Sequence, residues 1–435
     1  MAAKILGVLP LLPLLVSISL LAFSLSPINS SKSTPPRVEW IKTYGGLRGD
    51  VGWAVRQTRD GGYIIIGTTS SYGEGEYDAW LIKTDEHGEV EWNRTYGGVK
   101  WDVGWSLEET SDGGYILAGE TSSWGSGHYD IWLIKLSSRG DEEWSLVYGW
   151  PDWDIGYCVK ELRDGGYIVA GCTRRTRIIG SGYWDALLLR VDPLGRVLWC
   201  KTYGGPYEDG AWHVSETRDG GLVVAGYTTI SADRLADAWV IKTDEFGDVE
   251  WDVVYGGDGD DWLFSIEETE DGYIAAGATG SYGAGGYDFW LVKLDGDGEV
   301  LWNRTYGGAG SDIGWLVRET KAGGYIIIGG TTSYGEGDWD IWVIETDEDG
   351  DPLWNQTYGG VGRDRGWCID ETVDGGYILV GYTTPKNSKY WDAILLKLSP
   401  ERHHPGRILT YVSATLTAAS SIPLVIGCGR RFRGR

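Results

Sequence analysis

Short apolar segments recur along the chain, separated by turns rich in glycine, aspartate and serine. Each is about five to eight residues long and is filled by Trp, Tyr, Ile and Val, the residues of packed β-strands. Segments such as YIIIGTT from Tyr63 are apolar at consecutive positions, as in a sheet that is covered on both faces. No useful length of this region shows helical spacing of apolar residues. The pattern therefore predicts an all-β fold.

One phrase of the sequence returns seven times. WNRTYGG begins at both Trp92 and Trp302, and successive copies, exact or loose, lie 51 to 55 residues apart. The looser copies begin at Trp40, Trp144, Trp199, Trp251 and Trp354. A fixed period of this size, with four short strands per unit, is typical of a β-propeller with one blade per repeat. The sequence thus predicts a seven-bladed β-propeller with four antiparallel strands in each blade.

The phase of the repeat predicts how the ring closes. The first copy, Val38–Tyr44, has no strands of its own before it. The last unit ends at DAILLKLSP and has no tryptophan strand after it. We therefore expect Val38–Tyr44 to form the outer strand of the seventh blade, which leaves the ring without an open edge.

One unit of the repeat contains YDAWLIKTDEHGEVEWNRTYGG, in which an aromatic strand ends in Gly-Gly, followed by DGGYILAGETSS. This unit resembles that of the bacterial and archaeal β-propeller repeat family, whose units run through G-x-D-A-x-x-x-K-x-D-x-x-G into such a strand. The resemblance covers residues 40–397 and implies an extracellular seven-bladed propeller with no single activity and no catalytic residue to transfer. Asp-x-x-Gly-x-x-x-Trp is more weakly similar to the tryptophan-docking repeat of quinoprotein propellers. The spacing is one residue shorter here and no adjacent cysteine pair accompanies it, so we predict no cofactor.

Both ends of the chain differ from the repeat region. Residues 1–30 carry one lysine and then a long apolar run, which predicts a secretory signal peptide or signal anchor. Residues 408–428 are uncharged and precede the basic stretch 429–435, which predicts a transmembrane helix or sorting tail with a cytoplasmic end. A peripheral helix is the alternative. Residues 31–37 and 400–407 are predicted to be tethers on either side of a propeller that spans residues 38–399. We expect the propeller to lie outside the cell, anchored to the membrane.

The net charge of the chain limits the classes of partner that it can bind. There are 63 acidic and 38 basic residues, and the formal net charge is −25. Such a surface repels phosphate and therefore argues against binding to nucleic acid.

The sequence contains candidate sites for two covalent modifications, a disulfide bond and N-glycosylation. Cys158 and Cys172 lie on strands that flank one turn, so they are a candidate disulfide, with two buried free thiols as the alternative. The sequons at Asn93, Asn303 and Asn355 are candidate glycosylation sites on predicted outer strands.

Aspartates recur at two fixed positions of the repeat. The first set precedes the first strand of each repeat and comprises Asp50, Asp102, Asp154, Asp209, Asp261, Asp312 and Asp364. A ring of carboxylates suits a cation, but a residue present in every repeat is explained more simply by capping of its own turn. The second set, from Asp78 to Asp392, has the same interpretation. The acidic turns 295–299 and 347–351 lack the full spacing of calcium loops, so no metal site is predicted.

Sequence variation concentrates in two loops of each repeat. In a four-stranded blade these loops fall on one face, here termed the variable face, whereas uniform DGG and D-x-x-G turns form the opposite, plain face. Aromatic residues of the variable loops are the candidate ligand-binding residues: Tyr72, Trp101, Trp124, Trp150, Trp153, Tyr207, Tyr282 and Tyr334. Exposed aromatics suit a glycan or protein ligand, although each one alone also fits local packing.

The sequence favours binding over catalysis. Histidines are scarce, no nucleophile motif stands out, and no pair of carboxylates is singled out as glycosidase machinery. We therefore predict no catalytic residues and a membrane-tethered extracellular module that binds a glycan or a protein through its variable face. A secreted propeller enzyme, carbohydrate-active or quinoprotein-like, and a structural surface-layer component are the alternatives.

Overall fold

The computed structural model of the protein describes residues 33–174, 183–231, 235–384 and 388–400. These residues form 28 β-strands, numbered β1 to β28 in chain order, and no helix. The strands assemble into seven antiparallel sheets of four strands each. The prediction of a seven-bladed all-β propeller is thereby confirmed.

Within each blade the strands run outward from the central channel. The innermost strands are β2 (Asp50–Gln57), β6 (Asp102–Glu109), β10 (Trp153–Glu161), β14 (Asp209–Glu216), β18 (Asp261–Thr269), β22 (Asp312–Glu319) and β26 (Arg365–Glu371). The second strands are β3 (Tyr63–Thr69), β7 (Tyr115–Thr121), β11 (Tyr167–Arg174), β15 (Leu222–Thr228), β19 (Gly272–Thr279), β23 (Tyr325–Thr331) and β27 (Tyr377–Thr383). The third strands are β4 (Asp78–Thr84), β8 (Asp130–Leu136), β12 (Trp184–Val191), β16 (Asp237–Thr243), β20 (Asp288–Leu294), β24 (Asp340–Thr346) and β28 (Asp392–Leu398). The outer strands are β5 (Val90–Tyr96), β9 (Glu142–Tyr148), β13 (Val197–Tyr203), β17 (Val249–Tyr255), β21 (Val300–Tyr306), β25 (Pro352–Tyr358) and β1 (Val38–Tyr44).

The N-terminal strand closes the seventh blade, as the phase of the repeat predicts. Strand β1 pairs antiparallel with β28, from Val38 opposite Leu398 to Tyr44 opposite Ala393. Trp40 of β1 also packs edge-on against Tyr63 of the first blade, with 5.8 Å between ring centroids. One strand therefore joins the last blade to the first.

The hydrophobic core lies between the blades. Every residue of β3 and β4 is buried, including the run Ile64, Ile65 and Ile66. Successive side chains of a strand point to opposite faces, and each face of these strands meets a neighbouring blade. The consecutive apolar residues of the sequence follow from this arrangement.

The repeated aspartates hold their own turns together. Asp102 is fully buried and accepts hydrogen bonds from the Gly98 N–H at 2.7 Å, the Ser123 hydroxyl at 2.6 Å and the Thr121 hydroxyl. Asp78, from the second set, accepts the Gly75 N–H at 3.0 Å. These carboxylates are turn caps, and the described residues contain no cluster of three or more potential metal ligands.

The structure does not contain the candidate disulfide. Cys158 lies opposite Ala170 and Cys172 lies opposite Ile155, because a bulge after Gly156 shifts the register of β10 on β11. The two cysteines are therefore offset by two positions, and such diagonal neighbours lie about 7–8 Å apart, too far for a disulfide. Both are buried free thiols, which is the alternative that the sequence left open.

The predictions for the two ends fall outside the described residues. These are the signal segment 1–30, the membrane or sorting segment 408–428, the basic end 429–435 and most of the second tether. Within the part of the chain that the structure describes, no helix has the length and apolar character needed to cross a membrane.

Candidate functional site

Seven aromatic side chains ring the central channel. They follow the buried aspartate of each blade by three residues and are Trp53, Trp105, Tyr157, Trp212, Phe264, Trp315 and Trp367. Each ring contacts the next around the circle, with centroid separations from 4.2 to 6.1 Å. In β2, a bulge between Gly52 and Ala54 takes Trp53 out of the ladder and turns its side chain into the channel. This set is termed the aromatic collar.

On the plain-face side of the collar the channel carries a balanced ring of charges. The ring has three basic and three acidic side chains: Arg56, Glu108, Lys160, Glu267, Arg318 and Asp370. Lys160 lies 3.8 Å from Glu108 of the preceding blade, and Arg318 pairs with Glu267. Burial, with Lys160 and Arg318 nearby, holds the pKa of His213 well below its usual value. The ring is internally compensated and acts as a structural connection between blades.

On the variable-face side of the collar, a pocket of about 560 Å³ opens among blades three, four and five. Trp212 of the collar contributes to it, and five further aromatic residues line it: Tyr183, Trp184, Tyr207, Tyr227 and Trp262. Thr229, Leu235 and Ala236 complete the uncharged lining. A volume of this size suits a small ligand or a group projecting from a larger one. This aromatic pocket is the candidate functional site.

Differences between blades create the aromatic pocket. The residue after the buried aspartate is Gly210 in blade four and Trp262 in blade five, where blades one to three have valine or isoleucine. A β-carbon at Gly210 would lie 2.5 Å from the ring of Tyr227, so glycine is what lets this ring pack against β14. Trp262 is held by the ring of Tyr287 at 5.0 Å between centroids. The pocket therefore depends on residues that break the repeat.

Two carboxylates and no basic side chain are found among the described residues that line the aromatic pocket. Glu208 and Asp260 occupy the same repeat position, just before the buried aspartate of their blades. The other blades carry Gly49, Trp101, Trp153, Ser311 and Arg363 at this position. Glu208 accepts the Trp184 N–H at 3.3 Å and Asp260 accepts the Ala236 N–H at 2.9 Å. One backbone hydrogen bond thus holds each carboxylate at the pocket, and Asp260 also accepts the Tyr287 hydroxyl at 3.3 Å.

One of the eight predicted ligand-binding aromatics lines the aromatic pocket. It is Tyr207, whose ring meets that of Tyr183 edge-on at 5.7 Å. Trp153 borders the pocket, because its ring lies 6.4 Å from that of the lining residue Trp184. Trp150 packs instead against the outer-strand residue Tyr148 at 5.5 Å.

Three of the other predicted aromatics share a packing role. The Tyr72 hydroxyl donates to the carbonyl oxygen of Gly45 at 2.7 Å, and its ring packs on Trp80 at 5.4 Å. The same two contacts recur in their own blades for Tyr282 and Tyr334. These tyrosines clamp the variable loops onto the blades, which matches the local-packing alternative. Their part in ligand binding stays a prediction.

The remaining two predicted aromatics also have partners within the chain. Trp124 packs on Trp132 at 5.2 Å and stays 46% exposed. Trp101 stacks on Tyr77 at 4.3 Å and donates its indole N–H to Glu76. Both present ring surface on the variable face at some distance along the ring of blades from the aromatic pocket.

Sequence reasoning missed most of the aromatic pocket. Tyr227 and Trp262 lie inside strands, where an aromatic residue is expected to be core, and Tyr183 and Trp184 adjoin a long loop. Variation between blades at a fixed strand position was the available signal. Applied to strands as well as loops, it includes Gly210, Tyr227 and Trp262, together with Arg365 and Tyr382 of the seventh blade.

The predicted glycosylation sites lie on outer strands, as expected. The side-chain oxygens of Asn93 and Asn355 accept the indole N–H of a neighbouring tryptophan, at 3.3 and 3.2 Å. Asp252 makes the same contact at 3.0 Å in blade four. Asn93 and Asn355 are exposed, whereas Asn303 is half-buried. The fold thus gives a structural reason for an oxygen at this position, and glycosylation stays a prediction.

No known family model and no curated protein sequence matches the chain. Among solved structures, it is similar to the WD40 domain of Neurospora crassa Pan2, with 11% identity, a TM-score of 0.46, and coverage of 83% of this chain and 98% of that domain. It is also similar to Sqt1 from Chaetomium thermophilum, with 12% identity, a TM-score of 0.42, and coverage of 84% and 87%. These similarities are too distant to indicate a function. The strand pairing itself defines a seven-bladed propeller.

Proposed function

We propose that the protein is a membrane-tethered cell-surface binding module whose ligand, a glycan or a protein, docks on the variable face and places a group in the aromatic pocket. One observation carries this proposal. Residues that differ from blade to blade line the aromatic pocket, whereas residues shared by all blades maintain the fold. Convergence of this kind is typical of a binding site grafted onto a repeated scaffold.

Placement at the cell surface rests on the sequence of the two ends. The uncharged segment 408–428, followed by basic residues, has the pattern of a membrane span with a cytoplasmic end. The apolar N-terminal run has the pattern of a secretory signal. Together they favour a propeller held outside the cell.

The aromatic pocket offers the kind of surface that dominates binding energy. Trp184, Tyr207, Tyr227 and Trp262 are half-buried, so their rings are fixed by the fold and still reach the pocket. Rigid aromatic groups in a partly desolvated pocket are frequent hot spots, and truncation of one costs about 2 kcal/mol or more in affinity. That loss corresponds to roughly thirtyfold.

A glycan array and a panel of purified cell-surface proteins, probed with the full-length protein, should yield a ligand that depends on the aromatic pocket. Trp262→Leu removes a ring and keeps apolar volume. We expect this variant to bind the ligand at least about tenfold more weakly in surface plasmon resonance. Trp101→Ala, measured in parallel, shows whether the site extends to the rest of the variable face.

Phe246→Ala is the matched control for this experiment. Phe246 is 60% exposed and lies on a D-x-x-G turn of the plain face. Loss of affinity in Trp262→Leu with unchanged affinity in Phe246→Ala supports the proposal. Equal affinity of Trp262→Leu and the wild type, or a loss confined to Phe246→Ala, contradicts it.

A two-carboxylate glycosidase is the second candidate, because two carboxylates line an aromatic pocket. Hydrolysis of aryl glycosides by the wild type, abolished in both Glu208→Gln and Asp260→Asn, would favour this reading. Turnover that survives both changes would place any activity elsewhere.

A further inference from the structure

We infer that the aromatic pocket recognises an organic cation, namely an alkylated ammonium group carried by a small molecule or by a protein side chain. This inference rests on the proposed function, because it assigns the chemistry of the same pocket. It follows from the aromatic rings, from the two carboxylates and from a comparison with the other pocket of the variable face.

The aromatic rings supply the first part of the argument. The face of an aromatic ring is electrically negative and attracts a cation that lies within about 6 Å of its centre. Tyr183 and Tyr207 meet at 67°, so their planes form two differently oriented walls. Trp184, Tyr227 and Trp262 line the same space of about 560 Å³. An alkylated ammonium is apolar at its surface and charged at its centre, so it matches such walls better than a strongly hydrated ion.

The carboxylates supply the second part. Glu208 and Asp260 are the only acids at this repeat position in the seven blades, and both line the aromatic pocket. Neither forms an ion pair with another described residue. Their negative charge therefore acts on whatever enters, favouring a cation and opposing an anion. A neutral sugar is not attracted by that charge as a whole, and its hydroxyls interact with a carboxylate only through hydrogen bonds.

The second pocket of the variable face provides an internal contrast. It measures about 320 Å³ and is lined by the aromatic residues Tyr77, Tyr390 and Trp391. Arg48, Lys389 and Glu76 also line it, so this pocket carries charges of both signs. Aromatic residues thus occur in both pockets, but among the described lining residues only the first pocket has acids and no basic side chain.

A titration of the full-length protein with choline, tetramethylammonium and 3,3-dimethyl-1-butanol, the neutral isostere of choline, tests the inference. Binding is measured by calorimetry and by saturation-transfer NMR. We expect both cations to bind at least about tenfold more tightly than the isostere. Their affinity should also fall as salt is added. Equal binding of choline and the isostere, or binding of neither cation, overturns the inference.

Variants that remove one carboxylate charge at a time test whether Glu208 and Asp260 are responsible for cation binding. Glu208→Gln and Asp260→Asn keep an oxygen that accepts the backbone N–H, so the loops stay in place. We expect each to weaken choline binding about five- to tenfold and to leave the isostere unaffected. Asp258→Asn is the matched control, because Asp258 is an exposed acid two residues from Asp260 that does not line the pocket. An equal loss in Asp258→Asn would indicate general surface charge and contradict the assignment.

Two further measurements are needed. One distinguishes a protein side chain from a small molecule as the source of the cation, and the other distinguishes failure of the cation inference from failure of the proposed function. A trimethyl-lysine peptide that binds more tightly than choline indicates a protein ligand, whereas equal affinity indicates a small molecule. The second measurement uses a ligand from the array that binds the wild type and fails to bind Trp262→Leu. If choline does not displace that ligand and Glu208→Gln does not weaken its binding, the proposed function is supported and the inference of an organic cation is overturned. A ligand unaffected by Trp262→Leu overturns the proposed function itself.

Discussion

Deleting residues 33–44 should leave a propeller that unfolds at a much lower temperature than the chain beginning at Ser33. The deletion removes β1, leaves the edge of β28 unpaired and withdraws Trp40 from Tyr63. Loss of a packed tryptophan alone costs about 3 to 5 kcal/mol, and an open sheet edge also promotes aggregation. We therefore expect the free energy of unfolding to fall by at least about 4 kcal/mol, measured by circular dichroism.

The two chains compared in this experiment differ only in residues 33–44, so the result reports on ring closure. A peptide spanning residues 33–46, added in excess, should raise the midpoint of the shortened chain, because binding to the folded state stabilises it. Equal midpoints for the two chains, with no response to the peptide, would show that β1 does not close the ring.

Glu120→Gln should stabilise the protein at pH 8 and above while changing little below pH 4.5. Glu120 lies in β7, is 9% exposed, and its Oε2 has no hydrogen-bond partner among the described residues. Burial raises the pKa of this carboxyl from 4.5 to about 8. Ionisation of a buried carboxylate without a partner is unfavourable, and glutamine at this position does not ionise.

The sign of the pH dependence follows from the raised pKa. Stability due to protonated Glu120 is fully present below pH 4.5 and is lost as pH rises through about 8. At about 1.4 kcal/mol for each pKa unit, the loss amounts to roughly 5 kcal/mol. Urea unfolding at pH 4, 6 and 8.5 should show a gap between variant and wild type that widens with pH. A gap that is constant across this range, or as large for the exposed control Glu86→Gln, would refute the assignment.

The fold could be predicted from the sequence because the same strand pattern is repeated seven times along the chain. A single strand signal is ambiguous, but agreement among seven copies fixes the four strands per blade. The position of Val38–Tyr44 before the first complete unit then determines ring closure without any information on tertiary contacts.

The aromatic pocket could not be predicted because it depends on contacts between blades. Gly210 matters only because the ring of Tyr227 packs over it, and a strand pattern does not show that contact. Loop aromatics such as Tyr72 show the same limit. Tyr72 is 45% exposed, as its loop position indicates, but its packing on Trp80 of a neighbouring strand could not be predicted from sequence spacing.

Hydrogen–deuterium exchange of the full-length protein, with and without the ligand found on the array, tests the central claim most directly. If the ligand occupies the aromatic pocket, protection should concentrate in residues 183–184, 207–212, 227–229 and 260–262. The plain-face turn 244–248 should exchange at an unchanged rate. Protection confined to plain-face turns, with none around Tyr227 and Trp262, would contradict the assignment of the aromatic pocket as the binding site.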